Sequence, residues 1–189
     1  MRITYNAPVT LTFALASSAV LLVDQLTGAG ITERFFAVGG TMDFGRIIDY
    51  ARLVTHVVGH ANWTHLVSNF AFILLLGPIL EEKHGSRSLL FMMLVTALVT
   101  GILNVVLFST GLLGASGIVF MMILLGSFTN FRRGEIPLTF ILVVVLYLAR
   151  EMVTAFQSDT ISQFAHIAGG LCGSLFGFMR PRGTNDRQA

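Results

Sequence analysis

Six apolar stretches, each close to the twenty residues that an α-helix needs to cross a bilayer, limit the possible folds more than any other feature. They cover residues 8–26, 62–80, 89–108, 115–131, 136–156 and 161–179. Only 12% of the residues are charged, whereas soluble domains carry about 25%. We therefore predict an all-α fold, a polytopic membrane helical bundle of six transmembrane helices that forms one domain over residues 1–189.

The twelve Lys and Arg residues are divided unevenly between the two sides of such a bundle. With the N-terminus inside, eight lie in the inner segments and four in the outer segments. Because Lys and Arg accumulate in cytoplasmic loops, both termini are predicted to be cytoplasmic and the membrane to be the cell (inner) membrane. In the outer loop, residues 27–61, the pairs Phe35-Phe36 and Ile47-Ile48 predict amphipathic segments at the outer leaflet interface.

The composition also excludes several classes of function. The pI is near 9.1, but the basic residues are spread over short loops and form no patch, so no nucleic acid partner is expected. The single cysteine, Cys172, excludes an internal disulfide and a thiolate metal cluster. The lipid bilayer is the predicted surrounding, no cofactor is expected, and the oligomeric state is left open.

Gly114-Ala115-Ser116-Gly117 immediately precedes the apolar run of the fourth span. A serine at a helix N-terminus lies beside unpaired N–H groups that stabilise negative charge. The flanking glycines let a backbone or a substrate approach without a Cβ in the way. By itself this motif is weak, because many turns of small residues have the same composition.

The second, fourth and sixth spans all begin on the outer face, so polar residues near their starts share one depth. Ser116 begins the fourth span, His65 and Asn69 lie in the first turns of the second, and His166 lies in the second turn of the sixth. Three polar groups from separate parts of the sequence are therefore predicted to lie in one layer, a few helical turns below the outer surface.

His166 shares a helix face with Gly173 and Gly177, and Gly169 lies near that face. Small residues on one face let helices approach closely. The alternative interpretation is a packing face that a histidine merely caps, although an ionisable group inside a membrane is a functional candidate by default.

On the fourth span, Ser116, Phe120 and Ser127 form a comparable stripe. Docking this stripe on the face of His166 would bring its imidazole within hydrogen-bond reach of the Ser116 hydroxyl. Asp159 is too far along the helix to orient His166. The expected catalytic unit is therefore a Ser–His dyad and not a triad.

His65 and Asn69 are four residues apart and so lie on one helix face. Both side chains can donate hydrogen bonds. In acyl transfer, such donors would stabilise the negative oxygen of a tetrahedral intermediate, together with the backbone N–H of Ser116. The alternative is a polar pair that holds helices together.

A metal site was considered because His56, His60, His65 and Asn69 recur at spacings of four, five and four. There is no HExxH motif, no nearby acidic general base and no cysteine partner. His56 and His60 precede the second span, so polar anchoring at the membrane surface is the simpler interpretation, and no metal is predicted.

Taken together, these motifs resemble the rhomboid intramembrane serine proteases, from about residue 52 to residue 177. The residues that carry the resemblance are Gly114-Ala115-Ser116-Gly117, His65-Leu66-Val67-Ser68-Asn69, Ala165-His166-Ile167-Ala168-Gly169 with Gly173, Arg52-Leu53-Val54-Thr55-His56, Glu81 and Gly85-Ser86. Three motifs in the expected spans and order make the resemblance far more specific than a lone Gly-x-Ser-Gly.

The resemblance implies Ser116 as nucleophile and His166 as general base and acid. It implies His65, Asn69 and the amide of Ser116 as the oxyanion hole, with Gly114 shaping it. The implied substrates are the transmembrane segments of other membrane proteins.

Two positions depart from the family pattern: Ala51 stands where Trp is frequent, and Phe120 stands where many members have Tyr.

The sequence leaves two alternative functions for a membrane bundle of this kind. A non-catalytic rhomboid-like binder of membrane proteins would typically lack the serine or the histidine, and this chain has both. A small-solute transporter would be favoured by inverted repeats and broken helices, and the sequence shows neither.

Overall fold

The computed structural model describes residues 4–127, 138–139, 141–143, 145–146 and 160–179. Within these residues, seven helices are complete enough to be given bounds, and no β-strand is formed. They are α1 (Pro8–Thr27), α2 (Ile31–Phe36), α3 (Ile47–Thr55), α4 (Trp63–His84), α5 (Ser86–Leu107), α6 (Ser116–Ser127) and α7 (Thr160–Phe178). The predicted all-α membrane bundle is confirmed.

Three of the described helices, α1, α4 and α5, are long and apolar enough to cross a membrane. Their bounds follow the first three predicted spans, except that α4 continues to His84 where the predicted span ends at residue 80. Helices α6 and α7 are apolar and shorter in the described residues. Most of the predicted fifth span, residues 136–156, lies outside the described residues; its described positions 138–139, 141–143 and 145–146 are helical.

The end of α4 is extended because Glu81 has a structural partner at the start of α1. Helix α1 begins with Pro8, and its N-cap residue Ala7 offers no side-chain acceptor. The carboxylate of Glu81 accepts the N–H of Val9 at 2.9 Å and the N–H and hydroxyl of Thr10 at 3.0 and 2.8 Å. Glu81 therefore serves as the N-cap of α1 from a different helix, although it is only 4% exposed.

The loop of residues 27–61 forms two short helices, α2 and α3, at the two amphipathic segments that the sequence indicated. The carboxylate of Asp24 accepts the N–H groups of Ile31 and Thr32 at 2.6 and 3.1 Å, and so fixes the start of α2. Helix α3 lies directly on α5: a Cβ added to Gly101 would overlap the backbone carbonyl of Leu53.

The loop of residues 27–61 also pairs with the segment between α5 and α6. Val38 and Leu112 exchange two backbone hydrogen bonds, both of 2.9 Å, in an isolated antiparallel bridge. The carbonyl of His56 accepts the N–H of Gly114 at 2.9 Å. The turn that precedes α6 is therefore held by backbone contacts with residues 38–56.

Helix α6 is the centre of the described bundle and packs against α4, α5 and α7. Met121 and Met122 on α6 are fully buried, as are Ile73 on α4 and Leu89 and Ala97 on α5. An apolar helix buried on all sides has little freedom to shift. The first residue of α6 therefore has a well-defined position.

Candidate active site

Ser116 is the first residue of α6, as the sequence predicts, and its side chain is half-buried. It follows a tight turn in which Gly114 has a φ of 114°, a conformation that residues with a Cβ rarely adopt. Ala115, between them, is fully buried. The turn therefore directs the chain into the core and leaves the serine at its edge.

Small residues bring α6 and α7 into backbone contact beside this serine. A Cβ added to Gly169 would overlap the carbonyl of Gly117, and one added to Gly173 would overlap the carbonyl of Met121. The predicted glycine face of α7 is thus a close-packing face. The predicted stripe of Ser116, Phe120 and Ser127 is confirmed at Phe120, which contacts His166, while the closest backbone contacts are one residue further along α6, at Gly117 and Met121.

Ser116 and Phe120 each lie one residue before these backbone contacts, on the side of α6 that meets His166. The rings of Phe120 and His166 stack with centroids 4.3 Å apart and planes inclined at 37°. Phe120 is one helical turn after Ser116, and His166 directly follows Ala165, whose carbonyl lies 3.3 Å from a Cβ added to Gly117. The structure therefore brings the half-buried His166 to the helix face that carries Ser116.

His65 and Asn69 lie on the other side of the turn at Gly114. A Cβ added to Gly114 would be 2.7 Å from Nε2 of His65 and 3.7 Å from Nδ2 of Asn69. Any side chain at this position would therefore displace the imidazole. Gly114, His65 and Asn69 form one cluster, two residues before Ser116.

His56 and His60 are buried inside the protein, so the prediction that they are exposed polar anchors is wrong. Their exposed fractions are 1% and 0%, and burial lowers the pKa of each imidazole to about 4. Nε2 of His56 lies 3.3 Å from the hydroxyl of Thr100, and Nε2 of His60 lies 3.1 Å from Nδ2 of Asn69. Buried partners on two helices, Thr100 on α5 and Asn69 on α4, therefore hold this loop in the interior of the protein.

The sequence contained a signal for the second of these contacts. His60, His65 and Asn69 recur at five and four residues, a spacing considered only for a metal. In the described residues, no three His, Cys, Asp or Glu side chains converge as a metal site would require. Asp159 lies outside the described residues.

A cavity of about 500 Å³ lies at the opposite end of α4, lined by residues that include Lys83, Arg87 and Met179. It lies where α4 ends and α5 begins, whereas the cluster around Gly114 involves the first turns of α4. The cavity therefore does not touch Ser116, His166 or the residues around Gly114.

Comparisons with known proteins identify the family of the chain. Residues 49–183 match the model of the rhomboid domain family. The chain is 22% identical over 131 residues to the Rhomboid protease GlpG of Haemophilus influenzae, covering 68% of each protein. It is 23% identical over 165 residues to Rhomboid-like protein 11, chloroplastic, of Arabidopsis thaliana, covering 77% of this chain and 59% of that protein.

Proposed function

Because the chain belongs to the rhomboid family, we propose that it is an intramembrane serine endopeptidase that cleaves transmembrane segments of other membrane proteins. The observation that carries this proposal is the stacking of His166 on Phe120, one turn after Ser116. Two helices in backbone contact at Gly117 and Gly169 support a fixed relation between the serine and the histidine.

In the proposed reaction, Nε2 or Nδ1 of His166 takes the proton of the Ser116 hydroxyl while Oγ attacks the scissile carbonyl carbon. The tetrahedral intermediate collapses when the imidazolium gives this proton to the leaving amine. Water then attacks the acyl-enzyme, with His166 again acting as base, and releases the acid and the free serine. No step needs a cofactor.

Three donors would bind the negative oxygen of the intermediate: the side chains of His65 and Asn69 and the backbone N–H of Ser116. Their positions around Gly114 support this role. The side chains of His65 and Asn69 reach the Gly114 turn from α4, and the N–H of Ser116 follows that turn by two residues. Donors held in advance are the largest single contribution to catalysis in many enzymes of this class.

A carboxylate that orients the histidine is absent from the proposed mechanism. The ring of Phe120 would hold the plane of the imidazole instead, since an offset stack of two rings favours one orientation. The unit is accordingly a dyad of Ser116 and His166.

The proposed orientation places both termini in the cytoplasm and the site on the outer side of the cell membrane, in a single rhomboid-like domain. It is supported by the excess of Lys and Arg in the segments assigned to the inner side. Reporter fusions at Asn130 and Ala189 are expected to read as cytoplasmic, and an external signal at either position contradicts the orientation.

A fluorophosphonate probe tests the nucleophile in folded, detergent-solubilised protein. Labelling is expected in the wild type, to be lost in Ser116→Ala and after denaturation, to be almost lost in His166→Ala and to be reduced in Phe120→Ala. Ser127→Ala is the matched control and should keep full labelling, because the Ser127 hydroxyl donates to the carbonyl of Leu124 at 2.6 Å.

Two results would oppose the proposal. Unchanged labelling in folded His166→Ala would show that the histidine is not the base. Absence of labelling in folded wild-type protein, together with failure to cleave a transmembrane helix that contains a glycine, would favour a non-catalytic binder of membrane proteins.

A further inference from the structure

His60 lies in the loop between α3 and α4, three residues before α4 begins, and is fully buried. Asn62 is the N-cap of α4, and its side chain accepts the N–H of His65 at 2.8 Å. This cap turns the chain back along the first turns of the helix. The imidazole of His60 consequently lies beside Asn69, between the rings of His65 and Phe70, whose centroids are 5.0 and 5.6 Å away.

The hydrogen bonds of His60 define its tautomer. Nδ1 lies 3.1 Å from the carbonyl of Val58, which can only accept, so Nδ1 carries the proton. Burial keeps the imidazole neutral at neutral pH by lowering its pKa to about 4. Nε2 therefore has a free lone pair, and the group of Asn69 that lies 3.1 Å from it must be the NH₂ donor.

This bond matters because an asparagine amide has two ends of opposite polarity. Rotation by half a turn exchanges the donor Nδ2 for the acceptor Oδ1, and a carbonyl oxygen would repel a developing negative charge. The lone pair on Nε2 of His60 can accept a hydrogen bond only when the NH₂ group of Asn69 faces it. One N–H of Asn69 is used by His60, and the other remains on the amide nitrogen that lies near the Gly114 turn.

We propose that His60 is a positioning residue for the oxyanion hole: it holds the amide of Asn69 with its NH₂ group towards the turn that precedes Ser116. His60 itself does not touch the substrate. This inference rests on the proposed function, because it assigns His60 a role through Asn69. His65 is the ionisable side chain whose ring contacts His60, so both members of the proposed donor pair adjoin this residue.

A pair of substitutions separates the hydrogen bond from the packing of the ring. His60→Leu fills much of the space without an acceptor. His60→Gln can present a carbonyl oxygen to Asn69 and an NH₂ group to the carbonyl of Val58. We expect kcat to fall about 10-fold or more in His60→Leu with KM little changed, and to be largely restored in His60→Gln.

A double-mutant cycle tests whether His60 acts through Asn69. Loss of one oxyanion donor in Asn69→Ala is expected to lower kcat by about 100-fold. In the Asn69→Ala background, His60→Leu should lower kcat by less than about 2-fold, because the amide that His60 positions is already absent. His56→Leu is the matched control: it removes an equally buried histidine that does not contact Asn69, so its effect on kcat should multiply with that of Asn69→Ala.

Three results would overturn the inference while leaving the proposed function intact: wild-type kcat in folded His60→Leu, no recovery in His60→Gln, or a multiplicative loss in the double variant. Should His60→Leu fail to fold, nitrogen NMR of the wild-type protein decides instead. A proton on Nδ1 with an unprotonated Nε2 at His60 supports the inference, and a proton on Nε2 refutes it. An inactive, unlabelled wild type would refute the proposed function itself.

Discussion

Replacement of Glu81 by alanine should destabilise the protein by separating α1 from α4. The carboxylate accepts two backbone N–H groups and the hydroxyl of Thr10. The hydroxyl can rotate to another acceptor, but the N–H groups of Val9 and Thr10 have no cap from Ala7. Each donor left without an acceptor costs about 1–3 kcal/mol, so we expect a loss of about 3 kcal/mol. Glu81→Gln keeps one acceptor oxygen and should cost about half as much.

The assay is reversible unfolding in detergent, combined with hydrogen exchange of the first turn of α1. Faster exchange at Val9 and Thr10 in Glu81→Ala would locate the loss at this cap. Glu82→Ala is the matched control, since Glu82 is the exposed neighbour, and should change stability by less than about 0.5 kcal/mol. Equal stability of the two variants, or unchanged exchange in α1, would refute the capping role.

Gly169→Ala should lower stability by about 2 kcal/mol or more and reduce probe labelling, because the new Cβ meets the backbone of Gly117 and no side chain can move aside. Gly126→Ala should do neither, because the added Cβ comes within 4 Å of no described atom outside its own stretch of helix. The pKa of His56 and of His60 is about 4 in the folded protein, below the ordinary 6.5, so the unfolded chain binds protons first as the pH falls. The free energy of unfolding is therefore highest above pH 6.5 and decreases as the pH falls towards 4. Equilibrium unfolding should show a loss of about 3 kcal/mol in the free energy of unfolding for each histidine. In His56→Gln this free energy should decrease less steeply as the pH falls. Substrate helices that contain glycine near the cut site should be cleaved faster than polyleucine helices, because the scissile carbonyl must leave its helical hydrogen bond; equal rates would contradict this.

The sequence predicted those features that depend on one segment alone. The apolar runs gave the positions of α1, α4 and α5, and the small residues before residue 118 gave the start of α6 at Ser116. The glycine face of α7 was predicted because helix geometry places residues four apart on one side. The contact between the rings of His166 and Phe120 also depends on the relative rotation of α6 and α7, which no single segment determines.

Features that depend on two distant segments were not predictable in this way. Glu81 looked like the polar end of a span, and only the neighbouring start of α1 shows why the helix continues past it. His56 and His60 looked like surface residues because no local pattern reveals that the loop is covered. The backbone contacts of Gly117 and Met121 were not predicted for the same reason: packing sets the rotation of a helix that is buried on all sides.

The bridge between Val38 and Leu112 has a consequence for the order in which the molecule is made. Three complete helices, α3, α4 and α5, separate its partners along the chain. Closing so large a loop costs entropy, which only the contacts formed afterwards offset. During translation, Val38 and His56 are synthesised long before their hydrogen-bond partners, Leu112 and Gly114. In a nascent chain that has not yet reached Leu112, the turn before Ser116 therefore cannot form, and the candidate site becomes complete late in synthesis.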